Sequence, residues 1–274
     1  MGQDVAVVIG VGGMGRAIAR RVGGGRRLLI ADFDKDNLGT VVEMLAGEGH
    51  EVRGQYVDVS DAGSVAALAA AAGEAGRVTH IAHTAGVSPT QAVTKAVLEV
   101  DLLGTALVLD AFESVVAEGG AGVVIASMSA YMAPLPDDQV AALAHTPAAE
   151  LLALPFLEHE AHPGIAYAVA KRGNVARVQA AAVAWGRRGA RLNSISPGVI
   201  STPMGRQELD GESGAAMRAM VNASATGRLG TPDDIAHAAA FLLDPASSFI
   251  SGVDLLVDGG TVAGVRALAA GNLS

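Results

Sequence analysis

The chain of 274 residues carries a formal net charge of −9 and contains no cysteine. These properties exclude disulfides, thiolate catalysis and cysteine metal sites, and they argue against a surface that attracts nucleic acid or acidic lipid. Half of the residues are hydrophobic but only 3% are aromatic, so the core must be aliphatic, as in a parallel sheet covered by helices.

The apolar N-terminal run contains Asp4 and leads directly into a glycine-rich turn. Both features favour a strand over a signal peptide. No stretch approaches the roughly 20 uninterrupted apolar residues that a membrane-spanning helix needs. A cysteine-free, acidic chain of this kind fits a reducing compartment. We therefore expect a soluble, cytoplasmic protein.

Short apolar runs alternate with longer alanine-rich helical patterns, which predicts an α/β fold with a doubly wound parallel sheet of about seven strands. Without a linker or repeat, residues 1–274 are expected to form one domain. Helices are expected after Gly13, Asp34, Asp61, Gln91, Ile165 and Thr231. Strands are expected at Val5–Ile9, Arg27–Ala31, Val52–Val57, Val78–His83, Val123–Ala126, Arg191–Ile195 and Asp254–Val257.

Two segments interrupt this alternation. Residues 133–163 hold five prolines and a weak helical pattern around Val140–Leu154, and they form an insertion that serves either as a substrate wall or as an oligomer contact. Residues 204–228 are rich in Met, Gly, Ser and Ala, and we interpret them as a lid over the substrate.

A glycine-rich turn follows the first predicted strand and precedes a helical pattern. Gly10, Gly12 and Gly15 form a G-x-G-x-x-G motif, whose glycines let the backbone approach a pyrophosphate at a helix N-terminus. Asp32 ends the second strand 22 residues after Gly10, where a carboxylate accepts hydrogen bonds from an adenosine ribose. The pattern predicts a Rossmann-type site for a dinucleotide.

Asp32 also bears on which dinucleotide binds. A carboxylate and a 2′-phosphate about 4 Å apart repel each other by about 4 kcal/mol at an effective dielectric of 20, so the expected cofactor is NAD and not NADP. Three nearby arginines could reduce this repulsion: Arg16, Arg26 and Arg27. The alternative role for Asp32 is a helix N-cap or a solvated turn residue.

Two further strand ends fall where such a cofactor would lie, because ligands bind outside the carboxyl ends of parallel strands. Asp58 can accept the adenine amino group, and the small residues near Gly86 let the backbone lie against the cofactor. From this half of the chain, the predicted cofactor contacts are Gly10, Gly12, Gly13, Met14, Gly15, Asp32, Phe33, Asp58, Val59, Thr84, Ala85 and Gly86.

Tyr167 and Lys171 lie four residues apart and so share one helix face. A cation within about 4–6 Å lowers the pKa of an acid by roughly 1–3 units, which makes the tyrosine a plausible general acid and base. Ser127 ends the fifth apolar run, where its hydroxyl can bind the substrate oxygen, and Ser129 is its competitor. The alternative is that the Tyr–Lys pair consists of exposed side chains on an alanine-rich helix and has no catalytic role.

These segments stand in the order typical of the short-chain dehydrogenase/reductase family, which the chain resembles over nearly its whole length. The order continues through Asn193–Gly198, Gly227–Ile235, Phe241-Leu242 and Asp258–Gly260. From Tyr167 to Gly198 the chain further resembles the bacterial 3α-hydroxysteroid dehydrogenase/carbonyl reductase type, which also carries a helical insertion between its serine and tyrosine.

The resemblance implies roles for the residues that match. Tyr167 would transfer the proton, Lys171 would hold the ribose and tune Tyr167, and Ser127 would orient the carbonyl. Residues 204–228 would match the family's substrate-covering loop. Further cofactor contacts are implied at Tyr167, Lys171, Pro197, Gly198, Ile200 and Thr202.

The chain also departs from the family pattern. The glycine turn is one residue shorter, Ile9 replaces a common threonine, and His83-Thr84-Ala85-Gly86 replaces a segment usually rich in asparagine. Asp101 stands where the family usually has an asparagine that supports a water-mediated proton path, so we count it as a fourth catalytic residue. Its charge is expected to alter the pairing of Lys171 without abolishing activity.

The His159–His162 segment carries two histidines, but without further ligands we expect no metal site. Together these patterns predict an NAD(H)-dependent oxidoreductase that interconverts a secondary alcohol and a ketone, including hydroxysteroids or other bulky carbonyl compounds. We expect a homo-oligomer, either a dimer or a tetramer. The alternatives are a catalytically silent NAD-binding protein with a regulatory or assembly role, and a nucleotide-sugar epimerase.

Overall fold

The structure is a computed structural model that describes residues 3–158 and 162–271. Within these ranges one seven-stranded, fully parallel sheet has the order β3-β2-β1-β4-β5-β6-β7. The order reverses between β1 and β4, and this topological switch point places a crevice at the carboxyl ends of the strands. The predicted α/β fold is confirmed. The strands are β1 Asp4–Ile9, β2 Arg27–Asp32, β3 Val52–Tyr56, β4 Arg77–His83, β5 Val116–Ile125, β6 Arg191–Pro197 and β7 Asp254–Val257.

Helices cover both faces of the sheet. A π-helical segment, Leu98–Leu103, joins α4 to α5, and short 3₁₀ turns lie at Met128–Tyr131 and Pro245–Ser247. In the described ranges, no helix is both long and apolar enough to cross a membrane. The α-helices are α1 Gly13–Val22, α2 Lys35–Gly47, α3 Ala62–Ala75, α4 Thr94–Val97, α5 Gly104–Glu113, α6 Asp137–His145, α7 Ala148–Leu151, α8 Pro155–Glu158, α9 Pro163–Arg187, α10 Pro203–Asp210, α11 Gly214–Ala223, α12 Pro232–Leu243 and α13 Thr261–Ala269.

The central strand β1 divides the core into two apolar layers. Val7 and Ile9 pack with Phe112 of α5 on one face, whereas Val8 packs with Ile18 of α1 on the other. All five of these side chains are 1% exposed or less. Because both faces of a parallel sheet are covered, β1 is apolar at successive positions instead of alternating.

Strand β5 is longer than the sequence pattern predicts. It begins at Val116, seven positions before the expected Val123, and Val116 pairs with Val78. The register then shifts between Val78 and His80, next to Gly119, whose φ is +79°. Glycines and a local irregularity hide the start of the strand from a search for apolar runs.

Both interrupting segments are more helical than expected. Residues 204–228 hold α10 and α11, and the insertion at residues 133–163 holds α6, α7 and α8. Leu143, Leu151 and Leu157 of the insertion are buried against Leu102 and Val169. The insertion is therefore part of the core of this chain and packs directly against the π-helical segment and α9.

Arg177 of α9 clamps this insertion in place. The side chain is 7% exposed, and its guanidinium donates to the Leu143 carbonyl at 2.6 Å and to the Thr146 carbonyl at 3.0 Å. These carbonyls lie at the C-terminal end of α6, where helix carbonyls lack intrahelical partners and a cation is favourable.

We expect Arg177→Met to lower the free energy of unfolding by about 2 kcal/mol, because hydrogen bonds from a charged donor to buried carbonyls are lost. Urea denaturation followed by circular dichroism measures the change. Arg187→Met, on an exposed position of the same helix, is the matched control. Equal destabilisation of the two variants would contradict the clamp.

Candidate active site

The turn between β1 and α1 packs against the ends of neighbouring segments. Gly10 has a φ of +86°, and a Cβ added there would lie 2.5 Å from the backbone nitrogen of Ala85. A Cβ on Gly13 would lie 2.8 Å from Cγ2 of Thr202. The space above Gly12 is open, since a Cβ there would meet nothing within 4 Å. The turn thus joins three predicted cofactor segments and leaves room for a phosphate at the α1 N-terminus.

Other residues around this turn have structural contacts of their own. Thr84 donates its hydroxyl to the Gly10 carbonyl at 2.5 Å. A Cβ on Gly15 would collide with the same carbonyl, so glycine is required there. Met14 packs partly buried on the α1 face of the core, and Val59 is 5% exposed beside Gly104.

Asp32 projects from the end of β2 towards the glycine turn. One carboxylate oxygen accepts the Val11 N–H at 2.7 Å, and the other accepts the Asp34 N–H at 2.9 Å. A carboxylate has about four acceptor positions, so two remain for ribose hydroxyls. It is Asp34, and not Asp32, that caps helix α2.

Two of the three arginines that could compensate Asp32 donate hydrogen bonds to other groups. Arg26 donates to the Val22 carbonyl at 3.0 Å. Arg27 donates to Glu51 at 2.6 Å and to the Ala75 carbonyl at 2.7 Å. Arg16 acts electrostatically on Glu48.

Sequence reasoning missed an aromatic pair that lies at the carboxyl ends of β2 and β3. The rings of Phe33 and Tyr56 lie 5.7 Å apart, and both side chains are exposed. The Lys35 ammonium lies 4.8 Å from the Tyr56 ring centroid. Asp58 turns its Oδ1 towards Ser60, accepting the hydroxyl at 2.6 Å. Of the two rings, only Phe33 stands beside a recognised motif, so the sequence does not predict the pairing with Tyr56.

Tyr167 and Lys171 face the carboxyl edge of the sheet from α9. The Lys171 ammonium lies 5.3 Å from the Tyr167 ring centroid, close enough to act electrostatically on the phenol. Ser127 has an extended backbone just after β5, and its hydroxyl hydrogen bonds with the Tyr167 phenol. The rival Ser129 has a buried hydroxyl that lacks a hydrogen-bond partner in the described part of the chain.

The π-helical segment places Asp101 directly against Lys171. Asp101 Oδ1 accepts the Lys171 ammonium at 3.2 Å and the Val87 N–H at 3.2 Å. The two charged side chains are 0% and 5% exposed. A Cβ on Gly86 would collide with this carboxylate, so Gly86 is fitted to the ion pair.

These contacts set the proton affinities. Burial raises the pKa of the Tyr167 phenol, the Lys171 ammonium lowers it, and the Asp101 and Glu208 carboxylates raise it further. Burial alone would lower the pKa of Lys171, but Asp101 and Tyr167 outweigh burial and raise it. Burial raises the pKa of Asp101 against the opposing effect of Lys171.

A buried histidine is linked to the π-helical segment through a threonine hydroxyl. His83 Nε2 lies 3.2 Å from the Thr105 hydroxyl, which donates to the Asp101 carbonyl at 2.8 Å. Burial lowers the pKa of His83 to about 3, so its ring is neutral at physiological pH. The sequence marks His83 as a departure from the family pattern but offers no sign of this link to Asp101.

The segment after β6 closes the site from the other side. Pro197 ends β6, Gly198 abuts Asp258, and Ile200 bridges to Gly230. Thr202 then caps α10 by accepting the Gly205 N–H at 3.0 Å.

Helix α10 reaches the loop after β4. Gln91 donates to the Gln207 side chain at 3.3 Å. The partly buried Glu208 hydrogen bonds with the buried Ser88 hydroxyl, and burial raises the pKa of Glu208. No motif marks Glu208, although its carboxylate acts electrostatically on Tyr167.

Of the His159–His162 segment, residues 159–161 lie outside the described ranges. Within the described ranges, no group of three or more histidine, aspartate or glutamate side chains is arranged to hold a metal ion. His162 itself accepts the Gly164 N–H at 3.1 Å and caps α9.

Comparison with known proteins identifies the family. A family model described as enoyl-(acyl carrier protein) reductase matches residues 10–151 and 156–262. Short-chain dehydrogenase/reductase bsc3 of Alternaria brassicicola is 39% identical over 270 residues, which cover 96% of this chain and 97% of that protein. D-threitol dehydrogenase of Mycolicibacterium smegmatis is 33% identical over 266 residues, covering 93% and 92%.

The predicted likeness to the hydroxysteroid type is also confirmed. The 3-alpha-hydroxysteroid dehydrogenase/carbonyl reductase of Comamonas testosteroni is 35% identical over 188 residues, covering 66% of this chain and 72% of that protein. Family model, relatives and seven-stranded parallel sheet agree, and the chain belongs to the short-chain dehydrogenase/reductase family of oxidoreductases.

Proposed function

We propose that this protein is an NAD(H)-dependent oxidoreductase that interconverts a secondary alcohol and a ketone, with Tyr167 as general acid and base. One observation carries the proposal: Ser127, Tyr167 and Lys171 meet at the sheet edge that also holds the glycine turn. A dehydrogenase needs a proton-transfer group beside its hydride-transfer site, and this arrangement provides one.

The residues present fit a nicotinamide dinucleotide. The open space above Gly12 suits a pyrophosphate, and the free acceptor positions of Asp32 suit ribose hydroxyls. The ring pair of Phe33 and Tyr56 flanks the expected position of adenine. When bound, the cofactor supplies the hydride acceptor or donor.

The chain's own residues handle the proton. Ser127 donates a hydrogen bond that orients the substrate oxygen beside the Tyr167 phenol. Tyr167 gives its proton to that oxygen in ketone reduction and removes it in alcohol oxidation. Lys171 stabilises the phenolate between these events.

The substrate site has one apolar wall. Leu135, Leu154 and Phe156 of the insertion are partly buried in the same cluster as Tyr167. This wall supports a bulky, apolar alcohol or ketone, in keeping with the hydroxysteroid named for one relative. The tetritol named for another relative is the smaller, polar alternative. Residues 204–228 are proposed to cover the bound substrate, because α10 contacts the loop after β4.

We also propose that the protein forms a homo-oligomer. Phe249 is fully exposed and Phe241 is 54% exposed, although the chain has only five phenylalanines. Both lie near the edge strand β7, where a second copy would cover them.

The first prediction concerns catalysis. Tyr167→Phe should lower kcat for alcohol oxidation by roughly 100-fold to 10,000-fold while NADH binding, followed by fluorescence, stays unchanged. Tyr131→Phe is the matched control, since its phenol donates to Asp254 instead. If the wild type binds NADH but turns over no hydroxysteroid, cyclic ketone or polyol, the protein is the catalytically silent form.

The second prediction concerns cofactor choice. Asp32→Asn should lower the ratio of kcat/KM for NAD to that for NADP by at least about tenfold, because a repulsion worth several kcal/mol is removed. Asp36→Asn, an exposed carboxylate on the next helix, is the control. A wild type that uses both cofactors equally would refute the role assigned to Asp32.

The third prediction concerns assembly. Phe249→Ser should shift the sedimentation coefficient towards that of the monomer, whereas Val93→Ser, at another exposed apolar position, should not. A wild type that sediments as a monomer at all concentrations contradicts the proposed oligomer.

A further inference from the structure

The ion pair between Asp101 and Lys171 changes the electrostatic potential at the Tyr167 phenol. The carboxylate and the ammonium are in direct contact at 3.2 Å, and both are almost fully buried. The second oxygen, Asp101 Oδ2, is buried and lacks a hydrogen-bond partner in the described ranges. The carboxylate therefore contacts the lysine through Oδ1.

The backbone holds this carboxylate where it is. Asp101 lies in a π-helical segment between α4 and α5, and the Thr105 hydroxyl binds its carbonyl at 2.8 Å. On the side-chain end, the Val87 N–H binds Oδ1 at 3.2 Å. Because both ends are held, the carboxylate has no free rotation away from Lys171.

All charged groups that act on the phenol can be named within the described ranges. Lys171 on α9 favours the phenolate, whereas Asp101 on the π-helical segment and Glu208 on α10 oppose it. His83 on β4 is neutral near physiological pH. Tyr167 is therefore acted on by one cation and two anions, and the Asp101 carboxylate in contact with Lys171 offsets part of the effect of that cation on the phenol.

We propose that Asp101 is a positioning residue that neutralises Lys171, so that Tyr167 faces an ion pair instead of a lone cation and exchanges its proton in a more alkaline pH range. This inference rests on the proposed function for its catalytic consequence, but the ion pair acts on Tyr167 whether or not a substrate turns over. Alcohol oxidation requires the phenolate, so its rate should rise only at alkaline pH.

The test compares the wild type with Asp101→Asn, which keeps the size of the side chain and an acceptor for Val87 while removing the charge. The acid limb of the pH profile of kcat/KM for alcohol oxidation should move about one pH unit lower. At a fixed pH below the wild-type midpoint, this corresponds to a rise of about tenfold. Glu99→Gln is the matched control, since Glu99 lies in the same π-helical segment but pairs with Lys95 near the surface. An unmoved or alkaline-shifted limb in Asp101→Asn overturns the proposal.

A second measurement needs neither activity nor a folded Asp101 variant. The chain has three tyrosines, so the ultraviolet titration of tyrosinate in the wild type, minus that of Tyr167→Phe, isolates Tyr167. A neutralised lysine predicts a midpoint at or above the ordinary tyrosine pKa of about 10, and a midpoint clearly below it overturns the proposal. If the titration agrees but no alcohol or ketone turns over, the inference stands and the proposed function fails.

Discussion

A buried ammonium is the constraint on which the candidate site depends. Lys171 sits in the interior between the sheet edge and α9, and a lone buried cation would cost several kcal/mol. Asp101 supplies the opposite charge from the π-helical segment between α4 and α5, and its carboxylate lies 3.2 Å from the ammonium. Gly86 leaves space for the carboxylate. Helix α9, the π-helical segment and the loop that contains Gly86 therefore all pack around the Lys171 ammonium.

The same helix α9 carries the demands of catalysis and of folding. One of its faces presents Tyr167 and Lys171 to the crevice, and another holds Arg177, which binds the carbonyls at the end of α6. The insertion packs on the π-helical segment as well, through Leu143 and Leu102. The insertion is therefore packed against the same helix as the candidate catalytic residues and is not a surface addition.

Sequence periodicity and motif spacing predict the seven strands, the glycine turn and the pairing of Tyr167 with Lys171. These features depend on neighbours in sequence or on the rule that parallel strands share one edge, which a single sequence can reveal. The early start of β5 was missed because Gly119 breaks the apolar run. The C-terminal helix α13 was missed because its glycine-rich approach and short length resemble a tail.

The sequence patterns also do not reveal the long-range polar contacts. The roles of Arg177, His83 and Glu208 rest on partners that lie far away in sequence, such as Leu143, Thr105 and Ser88. Nothing in the local pattern distinguishes such a residue from a solvated one, because the distinction is made by burial. Asp101 was recognised as a departure from the family, yet its contact distance to Lys171 depends on the π-helical geometry, which has no sequence signature here.

The surroundings of Tyr167 combine apolar side chains with a carboxylate. The insertion contributes partly buried Leu135 and Phe156 to the cluster that contains Tyr167, whereas α10 brings the Glu208 carboxylate towards the same phenol. A substrate that enters this space loses water on its apolar side and meets a hydrogen-bond acceptor on the other. Negative charge on the substrate is disfavoured there, because Glu208 is itself partly buried and less screened than a surface carboxylate. Under the proposed function, this packing and charge favour a neutral substrate with an apolar body and a hydroxyl group.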